Sequence, residues 1–131
     1  FAPIKDIYKT DVWALARYRN AVALERGQTP PIPERSITKE PSAELRPDQK
    51  DSDSLPDYPL LDRVLRAYVD EDHGYEALLA DGFDPELVRR VISLVDKAEY
   101  KRRQYPPGTK VSGRAFGKDR RLPMTSRWNE Q

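Results

Sequence analysis

The sequence predicts a mainly α-helical chain with long irregular loops, and three observations carry that prediction. Apolar residues recur at helical spacing in three stretches: about Thr10 to Arg26, from Asp57 or Tyr58 onward, and from Asp84 to about Gln104. The twelve prolines of the 131-residue chain gather mainly between and after those stretches, where they interrupt helix and favour extended backbone. Apolar residues make up 37% and charged residues 34%, a balance that allows one domain with a small core.

The first stretch contains no proline, offers Thr10 as an N-cap and Gly27 as a stop, and places Val12, Leu15, Ala16 and Tyr18 or Arg19 on one stripe. Trp13 lies off that stripe, so this helix is expected to bury a second face or to dock against something else. Pro30, Pro31 and Pro33 then favour a polyproline-like connection. Residues Ser36 to Asp62 are polar and proline-punctuated, so a long loop within 36–62 is expected, of a kind that is either disordered or functional. The second helix sets Leu61, Val64, Leu65 and Tyr68 at i, i+3, i+4 and i+7, and breaks at Asp70 to Gly74. Tyr75 to Ala80 reads as a short helix stopped by Asp81-Gly82. The last helix has Asp84 as N-cap, Pro85 at its first position and Val88, Val91, Ile92 and Val95 on one face. Its end, Lys101-Arg102-Arg103, is basic, as the helix dipole favours. A basic, irregular tail is expected over 105–131.

Composition also excludes functions. A net charge of +1 argues against a nucleic-acid coat or a membrane-surface protein, so any anion site must be local. Without cysteine there is no disulfide framework, thiolate metal site or cysteine nucleophile, and a cytoplasmic setting is expected. No apolar run approaches the ~20 residues of a bilayer span. The opening Phe1-Ala2-Pro3-Ile4 reads as the interior of a protein, so a piece of a longer chain is expected.

Three groups of residues can carry chemistry, each beside a plainer reading. Lys9, ahead of the first helix, and Ser42 can bind phosphate through an ammonium and a hydroxyl, although solvated lysines and loop serines are commoner. Lys101, Arg102 and Arg103 can bind an anion, although the dipole alone favours them there. Asp48, Asp51, Asp53 and Asp57 lack the glycine and closing glutamate of a calcium loop and read as solvated; no metal site is assigned. His73, the single histidine, reads as a surface turn residue.

Several ordered blocks are more specific than these physical readings. They are F-A-P-I-K-D-I-Y-K-T-D-V from Phe1, A-L-A-R-Y from Ala14, I-T-K-E-P-S-A-E-L from Ile37 and Q-K-D-S-D-S-L from Gln49. Y-K-R-R-Q from Tyr100, P-P-G from Pro106 and R-R-L-P-M-T-S-R-W from Arg120 follow. Together they resemble the C-terminal part of the NAD(+) synthetases, most closely the glutamine-dependent bacterial type. The resemblance implies the C-terminal portion of a Rossmann-like α/β adenine nucleotide α-hydrolase domain. It also implies a ligase that amidates deamido-NAD to NAD at the expense of ATP, with Mg2+, lysines and closing loops managing the charge.

Position by position, the resemblance makes Lys9 and Ser42 ATP-binding, with Lys39 and Glu44 candidates by neighbourhood. It makes Lys101 a deamido-NAD ligand, with Arg102 beside it. Tyr100 departs from the His-Lys pair of the ammonia-dependent enzymes. The phosphate loop S-G-G-x-D-S, the magnesium-binding glutamate and the glutaminase domain with its cysteine are absent from the sequence. No catalytic side chain is therefore assigned, and the chain alone is expected to be inactive. The implied partners are the N-terminal synthetase and glutaminase parts and a homo-oligomer, with neither nucleic acid nor membrane. The competing class is a small helical interaction module with a basic docking tail. Convergence of Lys9, Ser42 and Lys101 on one site separates the two.

Overall fold

A computed structural model of the chain describes residues 1–39, 55–115 and 117–123. Among these the regular structure is entirely helical: α1 (Lys9–Glu25), α2 (Glu34–Thr38), α3 (Tyr58–Leu65), a π-helical turn (Arg66–Asp70), α4 (Tyr75–Ala80), α5 (Pro85–Lys97) and α6 (Glu99–Arg103). The chain divides into two compact units, Tyr8–Pro59 and a core unit made of Phe1–Ile7 with Leu60–Gln131.

The core unit is built by apolar spacing. Leu61, Val64 and Tyr68 are buried as their i, i+3, i+7 pattern predicts, and so are Val88, Val91, Ile92 and Val95 of α5. Ala67, Tyr68 and Val69 are buried in succession, which the π-helical turn accommodates by widening the helix just where α3 ends. Leu78 joins this core from α4. The start and stop signals behave as the sequence predicts. Asp84 Oδ2 accepts the Leu87 amide at 2.9 Å with Pro85 in the first turn of α5. Gly82, at φ +87°, ends α4 while its amide reaches Leu79 O and the Phe83 amide reaches Leu78 O, the paired bonds of a Schellman cap.

Helix α5 does not run to Gln104. It stops at Ala98, and the short α6 follows. At the stop the Ala98 amide reaches Leu94 O and Val95 O, and Arg102 Nη1 adds a second donor to Val95 O at 2.6 Å. Glu99 is the second member of this arrangement, binding Arg102 at 2.5 Å and Arg103 at 2.9 Å. Arg103 in turn donates to Leu122 O.

Several basic residues of the expected irregular tail make side-chain bonds within the core unit. Arg120 stacks 4.2 Å over the Tyr68 ring and donates to Asp96 Oδ1, which also accepts the Tyr68 hydroxyl at 3.0 Å. Arg114 pairs with Asp72 and Lys110 with Asp119. Residues 1–7 join the same structure through Asp6, whose Oδ2 accepts the amides of Val111 and Ser112 and the Ser112 hydroxyl. Gly108 permits this approach, since a Cβ there would lie 2.5 Å from Ala2 O. Arg114, Arg120 and Lys110 are thus engaged with carboxylates and a ring of the same unit, while Lys118 and Arg121 are exposed.

In the Tyr8–Pro59 unit two local expectations change. Helix α1 begins at Lys9 with Tyr8 as an N-cap that makes no side-chain bond, so Thr10 is inside the helix rather than capping it. The stop is as predicted: Gly27, at φ +67°, and Gln28 send their amides to Leu24 O and Ala23 O. The stretch from Ser36 is not wholly irregular, because α2 reaches Thr38, with Ile37 buried and Thr38 Oγ1 bonded to Glu34 O, and α3 begins at Tyr58. The rest of the expected loop, residues 40–54, lies outside the described residues.

Candidate functional site

The inward stripe of α1 differs from the one that hydrophobicity alone suggests. Leu15 and Tyr18 are 51% and 69% exposed, whereas Lys9, Trp13, Ala16, Asn20 and Ala23, spaced at i, i+4, i+7, i+11 and i+14, are half-buried or buried. Asn20 explains how a polar residue holds such a position. Its amide donates to Ile32 O at 2.8 Å and its oxygen accepts the Ile32 amide at 3.0 Å, so one side chain satisfies both backbone groups of a residue in the proline-rich connection. That pairing fixes the segment after α1 where no regular backbone ladder exists.

At the other end of the stripe stands Lys9. Its ammonium lies 5.7 Å from the centroid of the Trp13 ring, one helical turn on. The Tyr58 ring meets Trp13 edge-on, with centroids 5.6 Å apart and planes at 76°. Among the described residues Lys9 faces no carboxylate. Lys39 is exposed at the end of α2, and its amide bonds to Arg35 O. Both belong to the Tyr8–Pro59 unit. Ser42 and Glu44 lie outside the described residues.

Lys101 and Arg102 belong to the core unit, and adjacent positions on α6 send them to different surroundings. Lys101 is exposed, 6.0 Å over the ring of its neighbour Tyr100. Arg102 is 7% exposed, and its guanidinium is bonded to Val95 O and Glu99. The basic run is thus one solvent-facing cation and two arginines gathered on one glutamate. Burial alone would raise the Glu99 carboxyl, but the hydrogen bonds from Arg103 and Arg102 outweigh it and hold the group below its ordinary value. Asp72, at φ +63°, is likewise held low, by its hydrogen bond from Arg114.

His73 is a turn residue as expected, though not an isolated one. Its Nδ1 lies 2.7 Å from Asp81 Oδ2 and its amide donates to Ala67 O, which closes the turn between the π-helical segment and α4. Among the described residues no group of three His, Cys, Asp or Glu side chains is placed to hold a metal ion. None of the helices there is long and apolar enough to cross a membrane.

The residues that the sequence reading missed are Trp13, as the surface facing Lys9, and Tyr58. Their signal was the i, i+4 spacing of Lys9 and Trp13, together with the departure of Trp13 from the apolar stripe.

Comparison with known proteins gives the family of the chain. The NAD synthase family model matches residues 1–105. The chain is 55% identical over 128 residues to the glutamine-dependent NAD(+) synthetase of Acinetobacter baylyi, covering 98% of this chain and 23% of that protein. It is 48% identical over 128 residues to the corresponding enzyme of Aquifex aeolicus, covering 98% and 22%. A solved structure of the glutamine-dependent NAD+ synthetase from Acinetobacter baumannii in complex with ADP superposes with a TM-score of 0.56 at 44% identity, over 96% of this chain and 20% of that one. The chain therefore spans less than a quarter of the length of the relatives it matches.

Proposed function

The chain belongs to the NAD synthase family, and from that premise we propose that it is the C-terminal portion of a glutamine-dependent NAD(+) synthetase, a ligase that amidates deamido-NAD. The observation that carries this reading is the 55% identity extending over 98% of the chain. In the whole enzyme the deamido-NAD carboxylate attacks the α-phosphate of ATP, the bond to the β-phosphate breaks and pyrophosphate leaves. Ammonia, delivered from glutamine, then attacks the acyl carbon of the adenylate, loses a proton and expels AMP, leaving the amide of NAD.

This chain contributes charge and position. Lys9, and Ser42 with Lys39 after α2, bind the ATP phosphates, where a cation offsets the charge that shifts toward the leaving pyrophosphate. The ADP bound by the Acinetobacter baumannii relative supports a nucleotide site. Lys101 binds the dinucleotide from the exposed side of α6, and Arg102 contributes by holding α6 against the end of α5. The residues within 36–62 act as the substrate loop and 105–131 as the closing tail of the domain. Mg2+ would supply further neutralisation of the triphosphate, and its ligands belong to the rest of the protein, as do the Rossmann-like strands, the phosphate loop and the glutaminase. A cytoplasmic homo-oligomer is the setting this reading implies.

Two lysine variants of the full-length enzyme test the assignment. Lys101→Met is expected to raise the KM for deamido-NAD by about tenfold or more, the loss of one charge-assisted hydrogen bond, with the KM for ATP little changed. Lys9→Met is expected to do the reverse. Steady-state kinetics in both substrates reads the result, and unchanged constants in both variants would sink the site.

A further inference from the structure

An ammonium that must receive a triphosphate faces a conflict. If it waits in solvent it has many rotamers to lose, and if it waits on a carboxylate its charge is already spent. Lys9 does neither among the described residues. Its Nζ stands over the Trp13 face, a partner that attracts a cation without carrying a negative charge and releases it at a cost of a few-fold in affinity. The indole is itself fixed. The Tyr58 ring meets it edge-on, so the first residue of α3 braces a side chain of α1 across the intervening connection. Lys9, Trp13 and Tyr58 all lie in the Tyr8–Pro59 unit.

We propose that Trp13 is a positioning residue that holds the Lys9 ammonium ready for the phosphates of ATP, with Tyr58 fixing the indole. The inference rests on the ATP assignment of Lys9 and adds to it the means by which the lysine is kept in place. It also explains why an aromatic residue occupies the inward stripe of α1 one turn after a lysine, where an ordinary apolar side chain would fill the same space.

Kinetics of the full-length enzyme with ATP as the varied substrate distinguish the two claims. Trp13→Leu is expected to raise the KM for ATP about fivefold and Trp13→Phe, which retains a weaker ring face, about twofold. The KM for deamido-NAD and kcat should stay near the wild-type values. In a Lys9→Met background neither substitution should raise the KM for ATP further, because the cation it serves is gone. If Lys9→Met leaves the KM for ATP unchanged, the assignment of Lys9 falls and this inference with it. If Lys9→Met raises that KM but Trp13→Leu does not, the positioning role alone is overturned. A parallel rise in both KM values for Trp13→Leu, or an effect that persists in Lys9→Met, makes Trp13 a merely structural residue and also overturns it. Should Trp13→Leu not fold, Trp13→Phe in the two backgrounds decides by the same criteria.

Discussion

The two units of the chain are held together by different physics. The core unit buries Leu61, Val64, Tyr68, Val69, Leu78, Val88, Val91 and Ile92 to 9% exposure or less, so its helices are fixed by many apolar contacts at once. In the Tyr8–Pro59 unit only Ala23 and Ile37 are buried apolar residues among those described, and α1 leaves Leu15, Tyr18 and Leu24 more than half exposed. Specific pairings among the described residues there include Asn20 with Ile32 and Trp13 with Tyr58. Among the described residues, Lys9 thus lies in the unit with fewer buried apolar side chains and Lys101 in the other.

The largest expected effect contrasts the two directly. Leu78→Ala removes a fully buried side chain and should destabilise the core unit by about 2–5 kcal/mol, while Leu15→Ala on α1 should stay within about 0.5 kcal/mol. Chemical denaturation of the two variants measures both. Equal losses would mean that α1 depends on its exposed face as much as the core unit depends on Leu78.

A smaller effect concerns the charged part of the core unit. Glu99→Gln leaves Arg102 buried without its counter-charge and should cost about 3 kcal/mol at neutral pH. The pH dependence follows from the lowered carboxyl. Its ionised form supports the fold fully above the ordinary value of 4.5, and that support is lost as pH falls through the lower folded-state value. The gap in unfolding midpoint between wild type and Glu99→Gln should therefore be widest near neutrality and narrow below about pH 4.5. A gap that stays constant down to pH 3 would show that Glu99 does not act through its charge.

The smallest effect sharpens the account of the Tyr8–Pro59 unit. Asn20→Ala removes two half-buried hydrogen bonds and should cost about 2 kcal/mol, read as faster hydrogen exchange at the Ile32 amide, with the amides of α5 unaffected. Unchanged exchange at Ile32 would mean that the prolines alone hold that connection.

Much of this molecule was legible from residue order alone. The apolar stripes of α3 and α5, the Asp84 cap, and the glycine stops at Gly27 and Gly82 are local effects of spacing and backbone freedom, which need no partner to be read. The ordered motif blocks pointed to the family for a similar reason, since they are strings of residue types. What only the tertiary structure decided is where polar and charged side chains turn. Asn20 faces inward because Ile32, twelve residues away, offers it both a donor and an acceptor. Arg102 is buried while Lys101 is exposed because Val95 O, near the end of α5, and Glu99, one turn earlier on α6, both accept from the Arg102 guanidinium. The Arg114 and Arg120 side chains in the tail find Asp72 and Asp96. A hydrophobic residue reveals its direction by its period, but a polar residue goes wherever its hydrogen bonds can be satisfied, and those partners are distant in sequence.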